Sequence, residues 1–204
     1  DVINLKVTNN KAHKVSFIGK FSKNINEKNT VSMLLKLLDK KKLLKDKKFD
    51  IKIIKNIPQQ AGMGGGSMNA SSLINFFIKK KLIKVKKSEL VKLAKLIGSD
   101  VILGIKPSDS ILSTNGKIKK FDKQAKLHVL AVKPNFGCST KYIYSKVNTF
   151  TKSQFNLQKR SMFKIDYLKT LNNDLEKIVF NKYPRLEKIK LFLLTIPNTI
   201  FVRM

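Results

Sequence analysis

The tightest constraint on how this chain can fold is the run Ile57-Pro58-Gln59-Gln60-Ala61-Gly62-Met63-Gly64-Gly65-Gly66-Ser67-Met68-Asn69-Ala70, which places four glycines in five positions. Upstream, Phe49, Ile51 and Ile53 alternate with polar partners, the period of a half-buried strand. Downstream, residues 70–78 are apolar enough for a buried helix. Glycines at such a junction expose consecutive backbone N–H groups with no Cβ in the way, and the dipole of the following helix adds to them. Anionic phosphate is what that arrangement binds best. No Gly-Lys-Ser/Thr follows, so this is not a Walker A loop, and the glycine spacing is not that of a dinucleotide fingerprint. A flexible linker is the alternative, but structured apolar segments bracket the run on both sides.

The rest of the chain alternates between the two secondary-structure periods. Residues 2–7 and 15–18 are predicted as strands around the polar turn Thr8-Asn9-Asn10-Lys11, giving the edge of a β-meander. Asn29-Thr30 precedes Val31, Leu34, Leu35 and Leu38 at helical spacing, which predicts an N-capped amphipathic helix to about Lys42. A second helix is predicted from a Ser88 cap through Leu90, Leu93 and Leu96 to Gly98. Two strand-like segments flank Asn115-Gly116, a strong hairpin signal. Residues 127–132 read as a further strand ending at Pro134, where a domain boundary is placed. Helices are then expected over 142–147, 171–180 and 186–194, the last behind Pro184, with a final strand starting at Ile200-Phe201-Val202.

Composition narrows the function classes. The 204 residues are 42% hydrophobic, enough to bury a core. Lysines interrupt every leucine-rich stretch, so no transmembrane helix is expected, and Asp1-Val2-Ile3-Asn4 does not read as a signal peptide. Cys138 is the sole cysteine, which suits a reducing cytosol. The formal net charge of +30 suggests a polyanion partner such as RNA or DNA. Arginines are limited to Arg160, Arg185 and Arg203, however, and the lysines are spread along the whole chain. Specific nucleic-acid readers lean on arginine forks, and most aromatics here fall at core-type positions, so nucleic acid is not the expected partner. His13 and His128 have no accompanying ligand cluster and read as structural or solvated.

The glycine run resembles the phosphate loop of the GHMP kinases, in the three-glycine form of the branch that acts on a cytidine-diphosphate-linked methylerythritol. The resemblance implies that Pro58, Ala61, Gly62, Met63, Gly64, Gly65, Gly66 and Ser67 bind ATP, with Ser67 beside the phosphates and their Mg2+. Met63 stands for the usual Leu and Met68 for a small residue. Leu96-Ile97-Gly98-Ser99-Asp100-Val101 is similar to the family's segment holding the catalytic aspartate, making Asp100 the base, although Ile102 replaces the usual Pro. Alone, Asp100 would read as a cap after a helix. Lys133-Pro134-Asn135-Phe136-Gly137-Cys138-Ser139-Thr140-Lys141-Tyr142-Ile143-Tyr144 resembles the family's substrate segment, which implies that Tyr144 stacks on cytosine and Thr140 lines the same site. Alone, Tyr144 would read as core. Asn173-Asp174-Leu175-Glu176 looks like a structural helix start in the family.

The resemblance implies an α/β chain, an α+β two-layer GHMP kinase fold with an N-terminal part like ribosomal protein S5 domain 2. Residues 1–133 are expected to form the ATP-binding domain and 134–204 the start of the C-terminal domain. Neither the family's N-terminal Ala-Lys-Ile-Asn-Leu and Gly-Tyr-His region nor its C-terminal glycine loop is present, so the chain is expected to be incomplete at both ends and to lack catalysis as it stands. The expected activity is ATP-dependent phosphorylation of the substrate's 2-hydroxyl, in the cytoplasm, in isoprenoid precursor synthesis. Other GHMP kinases of the homoserine or mevalonate type, and a basic RNA-binding protein of S5-like fold, remain open at this level.

Overall fold

In the computed structural model, the described residues are 1–114, 117–122, 126–149, 151–153, 155 and 157–204, with Thr140 and Lys141 described by their backbone only. The chain divides into two compact units, Asp1–Pro107 and Ser108–Met204. The boundary expected at Pro134 falls inside the second of them.

The first unit is a three-stranded sheet covered on one face by helices. Strands β1 (Val2–Thr8), β2 (Lys14–Ile18) and β3 (Lys48–Ile54) lie in the order β1-β3-β2, with β1 antiparallel and β2 parallel to β3. A β-meander would have paired β1 with β2. Instead β3 inserts between them, because its inward residues Phe49, Ile51 and Ile53 are the most fully buried of the sheet and claim the centre. The register sets Ile51 opposite both Leu5 and Val15, and Ile53 opposite both Ile3 and Phe17, so one face of the sheet is continuously apolar. The other face carries Lys52, with Lys6 paired to Asp50.

Helix α1 (Thr30–Lys40) starts at Asn29, whose side chain accepts from Val31 N and Ser32 N while Ser32 returns a bond to the Asn29 backbone. Its Val31, Leu34, Leu35 and Leu38 join Leu73, Ile74 and Phe77 of α2 (Gly65–Lys79) and Leu93, Ala94 and Ile97 of α3 (Lys87–Ile97) in the core over β3. The N-cap of α3 is Lys86 rather than Ser88, and it makes no side-chain cap bond; Ser88 lies inside the first turn. Gly98 ends α3, as the sequence predicts, and a short α4 (Val101–Gly104) follows.

His13 is structural. Its Nδ1 accepts from Phe49 N at 3.0 Å, its ring stacks on Phe49, and its Nε2 lies 3.2 Å from Asp39 Oδ2. Asp39 also accepts from Lys48 Nζ at 2.7 Å. Burial works against the charged carboxylate, but the Lys48 and His13 interactions outweigh it and hold Asp39 below the ordinary carboxylate range. A depressed carboxylate contributes stability above its unfolded pKa of about 4 and loses it as pH falls through the lower folded value. Asp39→Asn is therefore expected to lower the urea midpoint at pH 6, with the gap to the parent closing below about pH 4. Parallel urea titrations at the two pH values check this, and a gap independent of pH refutes it.

The second unit opens with the hairpin β4 (Asp109–Leu112) and β5 (Ile118–Phe121), antiparallel with Asp109 opposite Phe121. The Asn115-Gly116 pair, read above as a hairpin signal, lies outside the described residues. Residues 127–132 have no strand assignment, and Val129 and Leu130 are 81% and 77% exposed. Apolar β-branched composition alone does not make a strand; its backbone groups also need a partner strand. Helix α5 (Thr140–Ser145), a 3-10 turn (Arg160–Phe163), α6 (Ile165–Leu168), α7 (Glu176–Lys182) and α8 (Pro184–Leu194) follow. The helix expected over 171–180 begins only at Glu176, since Asn173 uses its side chain on the Leu175 amide in a turn. Pro184 opens α8 as predicted. The strand expected at Ile200 does not form. The chain there is tied down by Arg203, which donates to the carbonyls of Leu168 and Leu171, and by the Met204 amide on Glu176 Oε1.

Candidate active site

The glycine loop joins β3 to α2, and its glycines serve two different needs. Gly62 and Gly64 have φ of +67° and +63°, and a Cβ at either would meet nothing within 4 Å. They are needed for backbone conformation beside open space, where a ligand can approach. Gly65 and Gly66 are needed for close approach. A Cβ on Gly65 would lie 2.9 Å from Ile57 Cγ2, and one on Gly66 3.2 Å from Thr30 Oγ1. Helix α2 thus starts inside the loop, at Gly65, earlier than its apolar residues suggest, and its N-cap Gly64 makes no side-chain cap bond. The first-turn amides are left to an outside acceptor, aligned with the positive end of a helix of 15 residues.

Neighbouring segments hold this loop. Thr30 Oγ1 donates to Gly66 O at 2.8 Å, which fastens the start of α1 to it. Gln59 Nε2 donates to the carbonyls of Phe21 and Lys23 at 3.0 and 2.8 Å, anchoring the approach beside Pro58. Ala61 is half-buried, and Met63 is 48% exposed at the tip. Below lie Lys55 and Asp1, paired and buried. Burial pulls the Lys55 ammonium below the ordinary lysine range. Sequence reasoning missed Asp1, Thr30, Gln59, Lys55 and Asn69 as parts of this frame. Only Asn69 left a signal, as an amide one position before the apolar run of α2.

Asp100 comes to the same end of the unit. A Cβ on Gly98 would lie 3.7 Å from Ser67 Oγ, so the turn Gly98-Ser99-Asp100 abuts the first turn of α2. That meeting depends on α4 lying close against α2: a Cβ on Gly104 would be 2.1 Å from Ser71 Oγ and 2.9 Å from Met68 Sδ. Met68, unusual for its position, therefore fills space beside a glycine, and Ile102 packs on the core. Asp100 is exposed, occupies the N-cap position of α4 without making a side-chain cap bond, and accepts from Ser99 Oγ at 3.1 Å. Its carboxylate is not consumed by helix capping. Chemically, the cluster offers an amide cradle for phosphate, a hydroxyl at its rim and an exposed carboxylate on the adjoining turn.

In the second unit, Ser139 caps α5 by accepting from Tyr142 N at 3.3 Å. Ile143 is buried and Tyr144 is 62% exposed, so Tyr144 is free of the core. Thr140 is the first residue of α5, and its side chain lies outside the described residues. Tyr142, Lys146, Ile178, Asn181 and Lys182 line a shallow cavity of about 270 Å³. Tyr144 is not among them. His128 is exposed.

Residues 29–117 match the family GHMP kinases N terminal domain. They include the glycine loop and Asp100, so fold and site together define a small-molecule kinase of the GHMP class. Over 204 residues the chain is 63% identical to a 4-diphosphocytidyl-2-C-methyl-D-erythritol kinase of Pelagibacter ubique, covering all of this chain and 73% of that protein. A kinase of the same name from Petrotoga mobilis is 31% identical over 148 residues, 69% of this chain and 57% of that one. The crystal structure of 4-(cytidine 5'-diphospho)-2C-methyl-D-erythritol kinase superposes with a TM-score of 0.62 at 19% identity, covering 92% of this chain and 67% of its own, a likeness of fold. The chain belongs to the 4-diphosphocytidyl-2-C-methyl-D-erythritol kinase family.

Proposed function

We propose that this chain carries the phosphate cradle and catalytic base of a kinase that transfers the γ-phosphoryl group of ATP to the 2-hydroxyl of 4-diphosphocytidyl-2-C-methyl-D-erythritol, in the non-mevalonate route to isoprenoid precursors. The observation that carries this is the abutment of Ser67, at the N-terminus of α2, with the Gly98-Ser99-Asp100 turn. It brings the helix start that carries the loop amides against the turn that bears Asp100, whose carboxylate makes no cap bond to α4. Amides of Gly64, Gly65, Gly66 and Ser67 hold ATP phosphates, with Pro58, Ala61, Gly62 and Met63 shaping the approach. Asp100 accepts the proton of the 2-hydroxyl as that oxygen bonds to the γ-phosphorus. The bond from the γ-phosphorus to its bridging oxygen breaks, and ADP departs with the electron pair.

Among the described residues no group of three His, Cys, Asp or Glu could hold a metal, so a divalent ion would arrive with the nucleotide. The Ser67 hydroxyl, together with the phosphate oxygens of a bound ATP, would suit Mg2+, which would neutralise charge on the phosphates. Tyr144 and Thr140 are assigned to the cytidine group: an exposed ring can stack on a base, whereas a buried one cannot. In functional terms residues 1–133 form the ATP-binding part and 134–204 the beginning of the second domain. No helix among the described residues is long and apolar enough to cross a membrane. We assign the enzyme to the cytoplasm.

The test is phosphoryl transfer from ATP, with the chain completed by the regions of the Pelagibacter relative that it does not cover. Transfer that requires the cytidine group supports the assignment. Absence of transfer, together with tight and salt-sensitive RNA binding, overturns it and gives the +30 charge the leading role.

A further inference from the structure

Beneath the glycine loop lies a buried polar cluster that the chemistry above does not use. The side chains of Lys55 and Asp1 are 5% and 1% exposed and form an ion pair. Asp1 Oδ1 also accepts from Asn56 N at 2.9 Å and Ile57 N at 2.8 Å, and Oδ2 accepts from Asn69 Nδ2 at 2.8 Å. One carboxylate thereby gathers donors from the exit of β3 and from α2, while its own backbone leads into β1. Lys55 Nζ lies 3.5 Å from where a Cβ on Gly65 would sit, on the side where Ile57 already presses against that glycine. The cluster therefore backs the tight face of Gly65, the first residue of the helix whose amides face the loop.

Stability alone gives weak reason for such a cluster, because taking two charges out of water costs about as much as their attraction returns. What a fully satisfied buried network does provide is one fixed geometry. We propose that Asp1, Lys55 and Asn69 are positioning residues for the nucleotide phosphates, holding the exit of β3 and the start of α2 at one separation so that the loop amides converge on the anion. This rests on reading the glycine loop as the ATP cradle.

The decisive variant is Asp1→Asn combined with Lys55→Met, which removes both charges at similar size and leaves neither buried alone. It is made in the completed chain and compared with its parent for ATP affinity by calorimetry, for KM of ATP and of the alcohol substrate, and for melting temperature. Misplaced amides should weaken ATP binding about tenfold to a hundredfold. The KM of the alcohol should stay within about twofold, with the melting temperature close to the parent's. A cluster that only stabilises the fold would instead lower the melting temperature and raise both KM values together, and that result overturns the proposal, as does unchanged ATP affinity. Should the double variant fail to fold, Asn69→Ala decides with the ion pair intact: a loss of about threefold or more in ATP affinity supports positioning, and parental affinity overturns it. A parent that binds no ATP removes the cradle reading itself, whereas a parent that binds beside an unaffected variant removes the positioning role alone.

Discussion

Asp100→Asn is expected to lower kcat by about a hundredfold or more while leaving the KM of ATP near its parental value. The amide keeps the size of the carboxylate and can still accept from Ser99 Oγ, which donates to it at 3.1 Å. It cannot take up the proton of the attacking hydroxyl. The cradle at Gly64, Gly65 and Gly66 is untouched, so ground-state nucleotide binding should persist. Because Asp100 is exposed and makes no cap bond to α4, melting temperature should hardly move. The competing role for an aspartate at this place, capping a short helix, forecasts the reverse: a lower melting temperature and intact turnover. Steady-state kinetics and a thermal melt on the same preparation separate the two, and full activity refutes the role as base.

Gly104→Ala is expected to destabilise the first unit by about 1 to 3 kcal/mol and to cost activity beyond that loss. The new methyl would sit 2.1 Å from Ser71 Oγ, 2.8 Å from Ser71 Cβ and 2.9 Å from Met68 Sδ. The Met68 thioether can swing aside, but Ser71 Cβ cannot, since Ser71 is held in the body of α2 and its hydroxyl donates to Met68 O at 3.0 Å. Helix α4 must move away from α2, carrying the Gly98-Ser99-Asp100 turn from Ser67. Adding Ser71→Ala removes the nearest oxygen but not the Cβ, so it should restore part of the stability and part of kcat. Urea denaturation with activity assays checks this, and a Gly104→Ala enzyme with parental stability and rate would show that α4 does not depend on this close approach.

Much of the local structure was legible because it depends on neighbours within a few residues. Asn29 caps α1 because its side chain reaches amides two and three positions on. Pro184 starts α8 for the same kind of reason. Signals of this type failed where two neighbouring solutions were both available. Ser88 could have capped α3, but the chain turns two residues earlier at Lys86. At residues 127–132 and at Ile200 the β-prone composition was read correctly but was insufficient, since a strand also needs a partner for its backbone.

The sequence by itself determined the kind of chemistry: a glycine run between strand and helix supplies bare amides at a helix start, a consequence of missing Cβ atoms that no distant residue alters. Only the tertiary structure decided what surrounds those amides. That β3 splits β1 from β2, that Ser67 meets Gly98, and that Asp1 reaches Asn69 across 68 positions of chain are outcomes of long-range burial. Apolar periodicity names the face a residue turns inward, but which inward faces meet is set by the competition of all segments for one core.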